Sequence, residues 1–220
     1  MDDHERSKIQ ETEVSGLIAR AYQLLEEDRD AEAAEVWARV AEDIWPMLDS
    51  VILGLHLSHK PTEDKVDRSY DKEYDLNSVL ADIDTGLVYA KRYEERLVFN
   101  QRILDTFDTS RERYQYLSAK QGIAESLNAL GRYDECDAYL DAWKSENAEE
   151  VYPDVVRIIC LLARNRKEEA KKLADYYMEK EEFNAPSEDV ILLFELISQV
   201  YRELGDEKGV EKAQERVQHG

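Results

Sequence analysis

The sequence has few of the residues that build tight turns, since only 8 of its 220 residues are Gly and 4 are Pro. A β-sandwich or a barrel of short strands needs many such turns, so both architectures are disfavoured. Apolar residues still make up 43% of the chain, which argues against wholesale disorder and allows a sizeable core. Charged residues make up 36%, which is typical of many helices with solvated outer faces.

Cysteine and long apolar runs are also scarce. The two cysteines, Cys136 and Cys160, lie in helical patterns without CxxC spacing, so we expect reduced, buried thiols in a cytoplasmic protein. The longest apolar run, 155–163, is too short to span a bilayer and contains Arg157. The N-terminal stretch MDDHERSKIQETEV is charged where a signal peptide has its apolar core, so no secretion signal is predicted.

Positive charge is the third shortage, with 29 basic against 50 acidic residues and a net charge of −21. Such a surface repels phosphate backbones and anionic membranes, so we expect no nucleic-acid partner and no membrane partner. A basic protein segment is the natural electrostatic complement. The charge also has a simpler interpretation as a device that keeps the protein soluble, which we favour.

A helical hairpin is predicted around Gly131, in the stretch LNALGRYDECDAYLDAW. Apolar residues recur at spacings of three and four on both sides of this glycine, which indicates two helices. Gly131 can adopt the left-handed backbone that ends a helix, and Asp134 and Glu135 suit the first turn of the next one. The apolar positions are Ile123, Ala124, Leu127 and Leu130 before the turn, and Tyr133, Cys136, Leu140 and Trp143 after it.

The same pattern recurs along the chain, with turns predicted at 28–30, 91–92, 165 and 205. Including Gly131, successive turns lie 63, 40, 34 and 40 residues apart, counted from positions 28, 91, 131, 165 and 205. The pattern predicts an all-α fold of about 9–11 helices in antiparallel pairs, forming one repeat domain over 1–220.

These copies resemble the tetratricopeptide repeat, a helix–turn–helix unit. The small residue of the first helix falls on Ala124, the turn glycine on Gly131, the aromatic after the turn on Tyr133 and the second small residue on Cys136. The family's first-helix Trp position holds Lys120, and no Pro closes a repeat. The resemblance implies a right-handed superhelix, an α-solenoid, whose first helices line a groove for a peptide or helix.

The residues that the resemblance places in this groove are Tyr22, Leu25, Gln121, Glu125, Asn128, Gln199 and Arg202. No Lys or Arg occupies the matching inner positions of the third copy, where the family has its clamp for a peptide carboxylate. We therefore do not expect capture of an acidic C-terminal tail.

A looser resemblance is to bacterial helical-repeat proteins that carry a terminal SEC-C zinc motif. It rests on the stretches AAEVWARVAEDIWPML, YDLNSVLADIDTGLVYA and YEERLVFNQRILDTF. The Cys- and His-rich motif itself is absent, so no metal role carries over.

Two segments fall between the first and second copies. Residues 47–58 are apolar enough for a buried helix, with Pro46 in its first turn or at a kink in the preceding helix. Residues 59–75 are polar and are predicted to form a long exposed loop, which is interpreted as a connection or a disordered segment.

No chemical centre stands out. His56, His59 and Glu63 lie close together, but no further ligand follows at a recognised spacing, so no metal and no cofactor are predicted. No GxSxG, Walker loop, GxGxxG or HExxH motif occurs, so we expect no catalytic residues and no enzyme. A hydrolase stays a distant alternative.

Three surface features have two interpretations each. The basic stretch 163–172 is either a grip for an acidic partner or, as favoured, a solvated helix end with pairs such as Glu168–Lys172. The apolar helix at 155–162 either packs inside or contacts a partner, which includes self-association into a homo-dimer. Aromatic residues at repeat positions are expected in the core, whereas two others are candidate exposed anchors. The first set is Trp37, Tyr133, Trp143 and Tyr177, and the second is Trp45 and Tyr89.

The sequence thus predicts a cytoplasmic, non-enzymatic scaffold that binds a protein or peptide. The alternative is a regulatory module that senses a small ligand or a signalling peptide.

Overall fold

A computed structural model of the chain describes residues 3–70, 74–183 and 185–219, and all the regular structure in these ranges is helical. Eleven α-helices and one 3-10 helix occur there, which confirms the predicted all-α fold and the number of helices. The arrangement of the pairs into a superhelix stays a prediction. The helices are α1 (Asp3–Glu26), α2 (Asp30–Gly54), α3 (Glu63–Tyr70), α4 (Leu76–Tyr89), α5 (Tyr93–Thr106), the 3-10 helix (Thr109–Arg111), α6 (Arg113–Ala129), α7 (Tyr133–Glu146), α8 (Tyr152–Ala163), α9 (Lys167–Glu179), α10 (Ser187–Glu203) and α11 (Glu207–His219).

Each of the five predicted turns ends a helix with one residue in the left-handed backbone region. The φ angles are 56° at Asp28, 57° at Lys91, 74° at Gly131, 58° at Asn165 and 74° at Gly205. The backbone N–H of the residue after each turn donates to the carbonyl five positions earlier, at 2.9 Å in every case. This hydrogen bond satisfies a carbonyl of the last helical turn that has no partner inside the helix. The turn positions deduced from the sequence are therefore confirmed.

An arginine follows the turn residue in four of these five turns and pairs with a glutamate three positions later. The guanidinium and carboxylate form a two-pronged contact at Arg29–Glu32 and Arg132–Glu135, with distances of 2.6–2.8 Å. Arg92–Glu95 and Arg166–Glu169 occupy the same positions in their turns. Because these pairs are exposed, we expect each to add little to stability.

The first compact unit comprises Met1–Ser126. Within it α1 packs on α2, α2 packs on α4, and α4 packs on α3 and α5. Its central buried side chains are Ile18, Trp37, Ile44, Trp45, Leu48, Leu76, Ile83, Leu87, Phe99 and Phe107.

Helix α2 differs from the expectation of a separate helix at 47–58, because it continues through Pro46 to Gly54. Proline costs an internal hydrogen bond and ordinarily kinks a helix. Its neighbours Trp45 and Met47 are both buried in the core, so packing on both sides of the proline offsets that cost.

The predicted polar loop at 59–75 contains helix α3, and this corrects the expectation of an exposed connection. Val66 and Glu63 are 0% and 2% exposed, so one face of α3 is buried despite its polar sequence. Asp67 accepts a hydrogen bond from the backbone N–H of Leu76 at 2.6 Å and so fixes the start of α4. Residues 71–73 of this segment lie outside the described residues.

The second compact unit comprises Leu127–Gly220. Within it α7 packs on α8, α8 packs on α9 and α10, and α10 packs on α9 and α11. Its core is formed by Val155, Ile158, Ala170, Ala174, Tyr177, Leu193, Phe194, Ile197, Val200 and Ala213. None of the described helices combines the length and the apolar character that crossing a bilayer requires.

Candidate functional site

The α4–α5 pair differs from the other four pairs at two equivalent positions. Seven residues before the turn and five residues after it, the other pairs carry small or apolar side chains. The α4–α5 pair carries Asp84 and Arg96 there. The equivalents of Asp84 are Ala21, Ala124, Ile158 and Ser198, and those of Arg96 are Ala33, Cys136, Ala170 and Val210. A charged pair therefore occupies positions that are apolar or small elsewhere in the same chain.

Asp84 and Arg96 form a two-pronged ion pair in which Arg96 is buried and Asp84 is half-buried. Arg96 Nε donates to Asp84 Oδ1 at 2.9 Å, and Arg96 Nη2 donates to Oδ2 at 2.8 Å. The third nitrogen, Nη1, donates to Glu125 Oε2 at 2.9 Å, and Asn100 Nδ2 donates to Asp84 Oδ1 at 2.5 Å. The Arg96 side chain is only 7% exposed, so this network is expensive to break.

A glycine allows α6 to approach this network closely. A Cβ atom on Gly122 would lie 2.4 Å from Asn100 Nδ2, nearer than any side chain tolerates. Any larger residue at 122 would displace Asn100 from Asp84. The polar centre is therefore enclosed by α4, α5 and α6.

A cavity of about 490 Å³ adjoins this network, and its lining is rich in carboxyl, amide and hydroxyl groups. We call it the acidic cavity. This volume lies within the range of about 300–1,000 Å³ that is typical of ligand sites. The lining residues are Glu63, Asn77, Leu80, Ala81, Asp84, Thr85, Asn100, Ile103, Glu112, Arg113, Tyr114, Gln115, Ser118 and Ala119.

Glu63 is the most unusual group in the acidic cavity, since its side chain comes from α3 and is almost fully buried. Gln115 Nε2 donates to Glu63 Oε2 and, at 2.5 Å, to Asn77 Oδ1, so α6 is tied to α3 and α4. Burial raises the pKa of Glu63 to about 8, and the negative charges of Glu112 and Asp64 add to this effect. Burial and Asp64 also raise the pKa of Glu112.

The residues predicted to line a groove have varied environments. In the first unit, Tyr22 is half-buried and donates to Asp82 Oδ2 at 2.6 Å, while Leu25 is 40% exposed. Gln121 Nε2 donates to Glu125 Oε1 at 2.8 Å, and Glu125 also binds Arg96, so this pair borders the polar centre.

In the second unit, Asn128 is buried and accepts a hydrogen bond from Arg164. Gln199 and Arg202 are exposed on α10. Gln199 lines a second cavity, of about 320 Å³, together with Ile159, Leu162, Ala163, Leu196 and Glu203. Whether these residues bind a partner stays a prediction.

The apolar helix predicted at 155–162 is α8, and most of it packs in the core of the second unit. Val155, Val156 and Ile158 are at most 1% exposed, as the interior interpretation expected. Ile159 and Leu162 are half-buried and line the second cavity.

The structure confirms some of the predictions for aromatic residues and contradicts others. Trp37, Trp143 and Tyr177 are buried as expected, and Tyr89 is 70% exposed, as expected of a candidate anchor. Trp45 is buried beside Phe99 and Phe107, so its assignment as an exposed anchor is wrong.

Tyr133 is 46% exposed, so its core assignment is also wrong. The guanidinium of Arg164 lies 4.6 Å from the centre of its ring. A stacked cation stabilises this face of the aromatic ring without burying it in the core.

Both cysteines are reduced and buried, as predicted. A hydrogen bond with Cys160 lowers the pKa of the Cys136 thiol, burial raises it, and Arg164 lowers it further, with a net shift downward.

In the basic stretch 163–172, the ion pairs differ from the predicted Glu168–Lys172 pair. They are Arg164–Asp137, Arg166–Asp137, Arg166–Glu169, Lys167–Glu203 and Lys171–Asp175.

No set of three or more His, Cys, Asp or Glu side chains that suits a metal ion occurs within the described ranges. Sequence reasoning considered Glu63 only as a neighbour of His56 and His59, and it missed Asp84, Arg96 and Asn100. Alignment of the five pairs on their turn residues contains the missing signal, because Asp84 and Arg96 stand out there. Comparisons with protein-family models, with curated proteins and with solved structures found no match to this chain.

Proposed function

We propose that this protein is a non-enzymatic binding scaffold of the tetratricopeptide-like kind, which holds a segment of a partner protein at the acidic cavity of its first unit. The single observation that carries the proposal is the polar centre of the α4–α5 pair beside a cavity of about 490 Å³. A helix pair whose side chains served only to pack the core would be more stable with small apolar residues at these positions, such as the equivalent Ala21 and Ala33.

The arrangement of the polar groups supports binding in particular. Asp84 is held by Arg96 and Asn100, and Gln115 is held between Glu63 and Asn77. Side chains fixed in this way are ready to receive a ligand and lose little conformational entropy when it binds. The five matching turns support the proposed repeat architecture, in which neighbouring pairs stack.

The test is selection of binders from a displayed library of random linear peptides, followed by fluorescence-anisotropy titration of the selected peptides. Ala81→Trp fills the cavity from an exposed position on α4, and Ala31→Trp adds the same ring at an exposed position on α2 outside it. We expect Ala81→Trp to weaken binding by more than about tenfold, which corresponds to 1.4 kcal/mol, and Ala31→Trp to leave it unchanged. Recovery of no peptide, or equal affinities for the two variants, would contradict the proposal.

A second candidate is a module that senses a small ligand, and the favouring observation is the mixture of polar and apolar groups around one cavity of ligand size. Thermal unfolding in the presence of fractionated cell extract separates the two. A low-mass fraction that raises the midpoint supports sensing, whereas the selected peptides raise it if the scaffold proposal is correct.

A further inference from the structure

We propose that the acidic cavity is a subsite for one cationic side chain, an Arg or Lys of the bound segment, and that Glu63 is the group that pairs with it. This inference rests on the proposed function, because the partner segment supplies the side chain. It adds the chemical class that the site recognises and the residue that recognises it.

The carboxylate of Glu63 has an open coordination side. Its Oε2 accepts from Gln115, but no donor among the described residues reaches Oε1, and none of their cationic groups pairs with it. The residue is nevertheless only 2% exposed, and it lines the cavity. A buried carboxylate in this state is costly unless a cation or a proton joins it.

Two neighbouring acids make the ionised state of Glu63 less favourable. Asp64, which follows Glu63 on α3, and Glu112, just before α6, both act on Glu63 by charge repulsion, and Asp64 also acts on Glu112. On α4, Asp84 faces the cavity with its charge already matched by Arg96. Arg113 of α6 also lines the cavity, from an exposed position at the start of the helix.

The other residues that line the acidic cavity suit a long cationic side chain, which has a charged end and an apolar stem. Leu80, Ala81, Ile103 and Ala119 provide an apolar wall, which suits the methylene groups of Arg or Lys. Tyr114 is 81% exposed and also lines the cavity, so its ring is accessible to a guanidinium for a cation–π contact. A bare metal ion would not use either feature.

The test titrates the full chain with Nα-acetyl-arginine methylamide and, separately, with its uncharged citrulline analogue. The measurement is ¹³C-methyl NMR, in which Leu80 and Ile103 report the acidic cavity and Ile159 and Leu162 report the second unit. Glu63→Gln removes the charge with little change of shape. The matched control Glu26→Gln removes one charge from an exposed position on α1.

We expect the arginine compound, and not the citrulline compound, to shift the Leu80 and Ile103 signals. Its affinity should rise about tenfold between pH 7 and pH 9, since a group with a pKa of about 8 changes from mostly protonated to mostly ionised over that interval. Glu63→Gln should weaken binding by about tenfold or more at pH 9 and remove the pH dependence, whereas Glu26→Gln should change neither.

Equal binding of the two compounds, equal effects of the two variants, or the same methyl shifts with calcium or magnesium chloride alone would overturn the inference. Its failure is distinguishable from that of the proposed function. If library peptides bind but do not discriminate Arg from citrulline, the scaffold proposal is supported and the proposal of a cationic subsite is contradicted. If the arginine compound binds at Glu63 and no peptide is selected, the subsite proposal is supported and the scaffold proposal is contradicted.

Discussion

Arg96 and Asp84 face each other across the α4–α5 pair, joined by two parallel hydrogen bonds of 2.9 and 2.8 Å. Both residues occupy positions where the other pairs of the chain carry small or apolar side chains. A buried ion pair of this kind stabilises a fold little compared with an apolar pair. Asp84 and its partner Asn100 both line the adjoining acidic cavity, and we propose that the pair holds them in position for binding there.

Truncating one partner of this pair should strongly destabilise the first unit. We expect Arg96→Ala to lower the free energy of unfolding by about 2–4 kcal/mol, because it leaves the half-buried Asp84 carboxylate without its cationic partner. The double variant Asp84→Ala/Arg96→Ala should cost less than the sum of the single changes, with a coupling of about 1–3 kcal/mol. Urea unfolding in a Trp143→Phe background measures this, because Trp37 and Trp45 then report the first unit alone.

The control for this prediction is Arg29→Ala, which removes a contact of the same two-pronged geometry to Glu32 at an exposed site. Solvent screens that pair, so we expect little measurable change. If Arg96→Ala were as harmless as Arg29→Ala, the Asp84–Arg96 pair would not be the buried network described above.

The sequence predicts the helices and turns well because each turn leaves a local signature. At Asp28, Lys91, Gly131, Asn165 and Gly205, the apolar spacing of three and four breaks and restarts within a few residues. The burial of α3 was not predictable in this way. Seven of its eight residues have charged or hydroxyl side chains, and only its packing on α2 and α4 shows which face is inside.

The candidate site was harder to predict because its groups come from distant parts of the sequence. Glu63, Asn77 and Gln115 are 14 and 38 residues apart in sequence, yet Gln115 donates to both of the others. No spacing rule connects such residues. The Asp84–Arg96 pair stands out only when the helix pairs are aligned on their turns, because in a chain with 50 acidic residues a single carboxylate is a weak signal.

Glu63 should make the stability of the first unit depend on pH. Its folded-state pKa is about 8, compared with an ordinary value of 4.5, so the folded chain retains a proton that the unfolded chain has lost between these values. This contribution to the free energy of unfolding therefore falls as pH rises from about 5 to 8. We expect Glu63→Gln to be more stable than the natural chain by roughly 2–4 kcal/mol at pH 9, with the difference vanishing near pH 5.

The measurement is urea unfolding over this pH range in the Trp143→Phe background, with Glu26→Gln as a variant of equal charge. Glu26 is exposed, so its replacement should shift the whole curve slightly and leave its shape unchanged. Parallel pH curves for the two variants would mean that Glu63 titrates as an ordinary surface carboxyl.

The left-handed turn residues predict opposite effects for two substitutions. Lys91 has a φ of 57°, which strains a residue with a Cβ atom, so Lys91→Gly should stabilise the chain by about 0.5–1 kcal/mol. Gly131→Ala should destabilise it by about 1 kcal/mol through the backbone alone, since the new Cβ would contact nothing within 4 Å. Thermal unfolding of both variants checks this, and effects of the same sign would contradict the turn geometry.

The buried thiols should resist modification in the folded protein. Cys136 and Cys160 are 0% and 1% exposed, so an aromatic disulfide reagent should label them only as fast as the second unit opens. We expect both to react at once in guanidinium chloride and slowly in buffer. Rapid stoichiometric labelling in buffer would show that the α7–α8 contact is open in solution.

The most direct test of the central claim is to locate a library-selected peptide on the full chain by ¹³C-methyl NMR. If the acidic cavity is the binding site, the largest shifts will fall on Leu80 and Ile103, and Glu63→Gln will reduce them at equal peptide concentration. Shifts centred on Ile159 and Leu162 with Leu80 and Ile103 unchanged would place the binding site in the second unit and contradict the account.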